Sequence, residues 1–281
     1  MARKSVVREP DGFIVNFLYH TIPGRIILKI LTKRFVSSIC GKYMDSTASK
    51  WIIDGFVRKN HISMSDYEAE QYNCFNDFFT RRIKSEKRPV CNKKKAFIAP
   101  SDGLLSAYRI SDDMVIPVKN SRYSVESMLR NSSLAEEYKN GICLVFRLCV
   151  NHYHRYCYVD DGVKGNNIYI PGILHTVRPI AIENTLVFTE NCREYTVLET
   201  QNFGKIVQIE VGAMLVGRIK NHHQEYHFSK GEEKGMFLYG GSTIILLAKN
   251  DRISIPEYVF EATLRDEEIP VRMGERIGTG I

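Results

Sequence analysis

From Phe13 to about Asn60, apolar residues recur at spacings of three and four, the period of a helix, and Pro23 with Gly24 interrupts the run early. This predicts two or three helices. Within them Arg25, Lys29 and Lys33 stand four apart and share one face, while Ile26, Ile27, Ile30, Leu31 and Phe35 populate the rest. Such a basic amphipathic helix is either a core helix with a solvated charged face or an interfacial helix lying on anionic lipid. Residues 61–95 continue with a capped helix start over Ser63–Tyr72, then Phe75, Phe78 and Phe79, and a basic stretch through Pro89 to Lys93–Lys95 that reads as a surface linker.

Beyond Ala96 the pattern changes to short runs of Val, Ile, Tyr and Phe punctuated by Gly, Asn and Asp. Ile142–Val150, Asn167–Ile170, Ile206–Val211 and Ser242–Lys249 read as strands. The expected class is α+β: an N-terminal helical region, residues 1–95, packed on a mainly antiparallel β core, residues 96–281.

Composition narrows the picture without choosing a function. At 281 residues, 44% hydrophobic and with charges of both signs spread throughout, the chain is globular and long enough to bury a core. A net charge of +7 favours an anionic partner: nucleic acid, an acidic membrane or a phosphorylated substrate. The basic residues are not interleaved with aromatics as in a nucleic-acid module, so nucleic acid is set aside. Seven cysteines without C-x-x-C pairs fit a reducing compartment. Residues 1–10 lack the apolar core of a secretory signal, and no stretch reaches the roughly 20 uncharged residues of a spanning helix, so any membrane contact is expected to be peripheral. His222, His223 and His227 have no Cys or acidic partner at a metal-site spacing, and no metal is expected.

Three segments could carry chemistry. Gly240-Gly241-Ser242-Thr243 runs straight into apolar Ile244–Ala248. Read alone it is an ordinary turn, but a glycine before the serine leaves the Gly241 carbonyl open to the Ser242 hydroxyl, and attack there would exchange the peptide bond for an ester. Elimination and hydrolysis would leave a pyruvoyl group at residue 242. That ketone forms a Schiff base with an amine and draws electrons as CO2 departs, the role pyridoxal phosphate plays elsewhere, so an amino-acid headgroup is the matching substrate. The second segment is Asn151-His152-Tyr153-His154-Arg155-Tyr156-Cys157-Tyr158. As a strand it would set the imidazoles of His152 and His154 side by side, one of them a candidate proton donor; otherwise it is a polar strand end. The third, Ala99-Pro100-Ser101-Asp102-Gly103, carries an Asp-Gly turn signal.

Together these segments resemble the phosphatidylserine decarboxylase family over nearly the whole chain. Phe75-Asn76-Asp77-Phe78-Phe79-Thr80-Arg81-Arg82 with Arg88-Pro89 is similar to its N-terminal signature, and Pro100-Ser101-Asp102-Gly103 to its Pro-x-Asp-Gly element. Pro171–Pro179, Phe188–Asn191, Phe203–Lys205, Val211–Gly217 and Lys230–Phe237 are similar to further blocks, and Gly241-Ser242-Thr243 to its cleavage and pyruvoyl site. The resemblance implies a self-processing proenzyme whose cofactor is a pyruvoyl group made from Ser242, without metal or pyridoxal phosphate. It would be cut at Gly241/Ser242 into a β chain, 1–241, and an α chain, 242–281. The implied substrate is phosphatidylserine on an anionic membrane, at its cytoplasmic face, with a homodimer as the family expectation.

By the same resemblance Asp102 and Ser242 belong to a protease-like Asp, His and Ser arrangement, and His154 matches the histidine of decarboxylation. Cys157 stands where the family has its second, maturation histidine. Three outcomes follow: Cys157 serves as base with a depressed pKa, His175 or a doubly used His154 takes the role, or maturation is lost. Arg155 and Arg178 are candidates for the substrate phosphate. The rival readings are a pyruvoyl decarboxylase of a soluble amino acid and a silent lipid-binding homologue.

Overall fold

A computed structural model describes residues 13–69, 71–118, 121–213, 218–239 and 242–281. Four α-helices, rather than two or three, occupy residues 13–60: α1 (Phe13–His20), α2 (Ile22–Leu31), α3 (Arg34–Met44) and α4 (Ile52–Lys59). The Pro23-Gly24 pair starts a helix as well as ending one. Pro23 lies in the first turn of α2, where its missing N–H costs nothing, and the Thr21 side chain caps the Gly24 amide at 3.0 Å. The helix expected over Ser63–Tyr72 is only a single 3₁₀ turn, Met64–Asp66. Ser63 pairs with the Ser65 hydroxyl instead of capping the backbone, and Tyr67 is drawn into a bridge with Ile83. A short helix α5 (Phe75–Phe79) follows, and Lys93–Lys95 are exposed just before the first strand.

The strands are β1 (Ala96–Ile98), β2 (Gly103–Arg109), β3 (Val115–Val118), β4 (Ser121–Ser124), β5 (Ile142–Leu148), β6 (Arg155–Cys157), β7 (Gly162–Lys164), β8 (Ile168–Ile170), β9 (Arg193–Thr200), β10 (Gly204–Gly212), β11 (Ile219–Asn221), β12 (Tyr226–Phe228), β13 (Glu233–Phe237), β14 (Ser242–Ala248), β15 (Ile253–Ser254), β16 (Ile269–Val271) and β17 (Arg276–Gly280). Among the described residues, β12-β7-β9-β10-β14-β5-β2-β16 form the main sheet in that order, with β8 on β9 and every pairing antiparallel. Smaller sheets are β1-β17-β15, β11-β13-β6 and β3-β4. The expected α+β class with a mainly antiparallel core is the one observed.

Strand β14 is buried along its whole length at the centre of the main sheet. Ile245 and Leu247 point to one face, with Val145, Val207 and Ile209, and are covered by α6 (Val125–Leu129), α7 (Ser132–Glu136), α8 (Pro179–Asn184), α9 (Val187–Glu190) and Leu18 and Leu28 of the N-terminal helices. Ile244 and Leu246 point to the other face, with Leu144 and Phe146, beneath Tyr156 and Phe237 of the β11-β13-β6 sheet and Phe260 of α10 (Glu257–Leu264). A strand covered on both faces reads as a continuous apolar run, and each such aliphatic side chain contributes about 1.5–3 kcal/mol of burial.

The second face also holds an ion pair cut off from water. Lys234 Nζ lies 2.8 Å from Glu210 Oε1, both fully buried, and Gln208 and Asn221 complete their hydrogen bonds. Removing one partner leaves an uncompensated charge. Lys234→Ala is expected to lower the unfolding free energy in urea by about 3–5 kcal/mol, and a Glu210→Leu/Lys234→Met double variant to recover most of that loss; additive losses in the double variant would count against the pair.

Candidate active site

The reactive serine of the sequence reading heads the central strand. Ser242 lies opposite Leu148, the last residue of β5, and on its other side opposite Gly212, the last of β10. Its hydroxyl is fully buried and has no hydrogen-bond partner among the described residues. Gly240 and Gly241, half of the expected scissile bond, lie outside the described residues, as do Met214–Gly217 of a family block.

Asp102 lies at the same end of the sheet, in the bend that leads into β2. Gly103 fits closely there, since a Cβ would come 3.1 Å from the Arg147 carbonyl of β5. β5 thus separates Gly103 from Ser242, two strand spacings or about 10 Å. The Asp102 carboxylate is engaged by a bidentate Arg88 guanidinium and by the Met273 amide at 2.9 Å. Cys157 adjoins this bend: its amide donates to the Pro100 carbonyl at 2.8 Å and its Sγ is 3.9 Å from the Ala99 carbonyl. Burial, helped by the Asp102 and Glu233 charges, pushes the thiol up to about 12. This is opposite to the depressed pKa that a cysteine base requires.

The two imidazoles are not side by side, contrary to the strand expected there. β5 ends at Leu148, a turn carries residues 149–152, and β6 starts only at Arg155. Local bonding decides this. The Cys149 amide donates to His152 Nδ1 at 3.0 Å, turning that ring back, while His154 Nδ1 lies 2.9 Å from the His152 carbonyl. A carbonyl only accepts, so Nδ1 of His154 carries the proton and Nε2 presents a lone pair. That Nε2 is buried without a partner among the described residues. Burial, with the Arg81 charge nearby, holds the imidazole well below its ordinary pKa, so it is neutral.

Helix α5 explains this placement. Phe79 packs against the His154 ring in a tilted arrangement, centroids 4.0 Å apart and planes at 38°, and also meets Tyr239 edge-on, three residues before Ser242. Asn76 Oδ1 receives the Tyr239 amide at 2.9 Å, and Phe75 packs edge-on against the Tyr239 ring. The His154 carbonyl accepts from the Phe237 amide at 2.9 Å. The signature segment therefore grips both the histidine and the approach to the serine. Sequence reasoning assigned no role to Phe75, Asn76, Phe79 or Arg88, although all four stand in the quoted N-terminal signature, and Tyr239 lies outside every quoted motif.

His175 is tied to the same region through its backbone. Asn191 accepts its amide at 2.9 Å and donates to both the His175 and Gly212 carbonyls at 2.8 Å. Its ring meets Tyr19 and Glu190: Nδ1 is 3.2 Å from the Tyr19 hydroxyl and Nε2 3.8 Å from Glu190. Arg155 is a buried clamp, donating to the Thr80 carbonyl and to Glu233, both at 2.7 Å. Arg178 precedes the first turn of α8.

A pocket of about 530 Å³ opens between α3 and β11, lined by Ser37, Ser38, Cys192, Glu194, Arg218, Lys220 and Leu238, among others; the Cys192 carbonyl accepts the amide of Gly212, the residue opposite Ser242. Glu194 lies opposite Glu210, and Glu210 opposite Ile244, so the pocket floor shares the sheet face of Ser242. Sequence reasoning missed Arg218 and Lys220, whose only signal was their position after the Val211–Gly217 block. His222 pairs with Glu233 and His223 stacks on Tyr226; among the described residues no cluster of three His, Cys, Asp or Glu could hold a metal.

The sequence profile of the phosphatidylserine decarboxylase family matches residues 75–279. Phosphatidylserine decarboxylase proenzyme 2 of Clostridium acetobutylicum is 46% identical over 265 residues, covering 94% of this chain and 91% of the relative. Phosphatidylserine decarboxylase proenzyme of Clostridium botulinum is 39% identical over 270 residues, 94% and 92% of the two chains. Its counterpart in Clostridium tetani is 37% identical over 270 residues, 94% and 91%.

A buried neutral histidine makes stability fall in acid. The unfolded chain takes up a proton near the ordinary value of 6.5, whereas the folded chain resists it, so stability is complete above 6.5 and declines below it. In a Ser242→Ala chain, the His154 contribution to this slope is about 1.4 kcal/mol per pH unit below 6.5, and His154→Gln is expected to remove it. An unchanged slope in urea titrations from pH 7 to 5 would mean that His154 charges freely in the fold.

Proposed function

The chain belongs to the phosphatidylserine decarboxylase family, a family of carboxy-lyases, and we propose that it converts phosphatidylserine to phosphatidylethanolamine after cutting itself between Gly241 and Ser242. The observation that carries this reading is a pair of buried atoms, Ser242 Oγ and His154 Nε2, both without partners among the described residues and both gripped through the Phe79–Tyr239 contact.

In maturation, Oγ of Ser242 attacks the Gly241 carbonyl while His154 Nε2 takes the hydroxyl proton and returns it to the departing Ser242 nitrogen, so an ester replaces the peptide bond. Loss of the Ser242 Cα proton and of the Gly241 carboxylate then leaves dehydroalanine. Water converts this to a ketone with release of ammonia. The fit rests on a serine hydroxyl free of competing hydrogen bonds at the head of a fixed strand. The resulting pyruvoyl group supplies the electron sink for decarboxylation of an amino-acid headgroup. In decarboxylation the Nε2 lone pair of His154 takes a proton from the substrate ammonium as its amine condenses with the ketone, and delivers that proton to the carbon losing CO2. His154 serves twice in this reading because a Cys157 thiol raised to about 12 stays protonated at neutral pH and the His175 ring is occupied by Tyr19 and Glu190.

The N-terminal helices support a reaction at a membrane surface. Phe13, Ile22, Ile26, Phe35, Ile39 and Trp51 are exposed, with Ile22 at 79% and Trp51 at 76%, beside the Arg25, Lys29 and Lys33 face. A water-exposed apolar stripe flanked by lysine and arginine suits an anionic interface. No described helix is long and apolar enough to cross a membrane. With its cysteines free, a peripheral position on the cytoplasmic face is consistent.

Intact mass under denaturing conditions is expected to show two chains, the smaller spanning the 40 residues 242–281 with a pyruvoyl-blocked start, and one uncut chain for Ser242→Ala. His154→Asn is expected to remain uncut, whereas Cys157→Ala and His175→Asn process; an uncut Cys157→Ala or His175→Asn would move the base to that residue. A wild-type chain that never cuts would favour a silent lipid-binding homologue. On vesicles containing phosphatidylserine, Ile22→Glu/Ile26→Glu should weaken sedimentation roughly tenfold or more, while activity in detergent micelles persists; unchanged sedimentation would remove these helices from the interface.

A further inference from the structure

The pocket between α3 and β11 carries charges of both signs. Its floor carries Glu194, whose Oε1 accepts the Asn221 side-chain amide at 2.6 Å, and its rim carries Arg218 and Lys220. Arg218 is about half exposed and its Nη2 lies 2.8 Å from Asp45 Oδ2, an Asp45 carboxylate that is itself 40% exposed. Asp45 caps the C-terminus of α3, and its other oxygen accepts from Asn76 Nδ2 at 2.7 Å, the same Asn76 that holds Tyr239. An ion pair this exposed is weak in water and readily exchanged for another anion. A guanidinium also matches a phosphate oxygen pair better than it matches most anions.

We infer that Arg218, with Lys220 beside it, binds the phosphodiester of the lipid headgroup, and that Asp45 holds the guanidinium at the pocket rim until that phosphate displaces it. The inference rests on the reading of Ser242 as the reacting group and of a phospholipid as substrate. In a phosphoserine headgroup the amine and the phosphate are only a few bonds apart, and the near wall of this pocket reaches the Ser242 end of the sheet through Cys192, whose carbonyl accepts the amide of Gly212, the residue opposite Ser242. Leu238, four residues before Ser242, forms that wall, and Leu238 donates its amide to the Arg218 carbonyl at 3.1 Å. Arg155 is committed to Glu233 and Thr80, and Arg178 does not line the pocket. The α3 helix supplies Ser37 and Ser38 to the pocket and its exposed Phe35 and Ile39 to the apolar surface, so the phosphate site faces the side from which a lipid would enter.

The test uses the processed enzyme in mixed micelles. Arg218→Gln is expected to raise KM for phosphatidylserine roughly 10- to 100-fold, the range of one or two charge-assisted hydrogen bonds, with kcat within a few-fold and chain cleavage complete. Arg218→Lys should fall between. Asp45→Asn keeps an acceptor for Asn76 but frees the guanidinium, and is expected to lower KM, a direction that misfolding does not produce. A second arm is independent of turnover: calorimetric binding of glycerophosphoserine to the uncut Ser242→Ala chain should be lost in Arg218→Gln and kept in a Lys94→Gln control. Unchanged KM and unchanged glycerophosphoserine binding in Arg218→Gln would overturn the inference, as would transfer of the loss to Arg178→Gln. Inorganic phosphate binding as tightly as glycerophosphoserine would make this a free-phosphate site and overturn it too. A wild-type enzyme that leaves phosphatidylserine untouched would sink the substrate reading, and the binding arm would still decide the phosphate site.

Discussion

A serine hydroxyl fully removed from water, with no partner among the described residues to replace the water it lost, constrains this whole molecule. Burying a hydroxyl unsatisfied costs on the order of 1–3 kcal/mol, and Ser242 is held in that state by strand β14, whose aliphatic side chains pack on both faces of the main sheet. The cost is met by the ladder hydrogen bonds to β5 and β10 on either side. A central strand cannot shift its register without turning its apolar side chains to the wrong face, so the residue at its head is fixed.

The elements around that strand do for the histidine what the sheet does for the serine. His154 stands outside any long strand, and its ring would be free to turn were it not for the His152 carbonyl on one nitrogen and Phe79 on its face. Those two contacts select a tautomer with a lone pair on Nε2, and the dry surroundings keep it uncharged. Arg88 performs a parallel service for Asp102, which a paired guanidinium and a backbone amide hold in one orientation. Two residues quoted in the N-terminal signature, Phe79 and Arg88, thus touch His154 and Asp102 directly.

The helices that present apolar side chains to solvent are joined to this signature through Asp45 and Asn76. α3 contributes to the exposed surface, to the pocket and, through its C-terminal cap, to the segment leading into Ser242. The exposed apolar surface, the pocket and Ser242 lie along one continuous set of contacts.

Much was legible in the residues alone. The change from helical to strand period near Ala96, the apolar run after Ser242 and the ordered motifs gave the α+β class and the family, because periodicity and short motifs are local properties of a chain. Local signals misled where long-range partners intervened: Ser63–Tyr72 lost its helix to the Tyr67–Ile83 bridge, and the paired imidazoles disappeared because His152 turns back on Cys149. No spacing could reveal that Arg88 would meet Asp102, that Phe79 would cover His154, or that Arg218 would reach Asp45, 173 residues away in the chain. Sequence alone determined which chemical groups are present and which short segments carry them. Only the tertiary structure decided which are dry, which are paired and which are left able to react, because burial and hydrogen bonding are set by neighbours that folding brings from elsewhere.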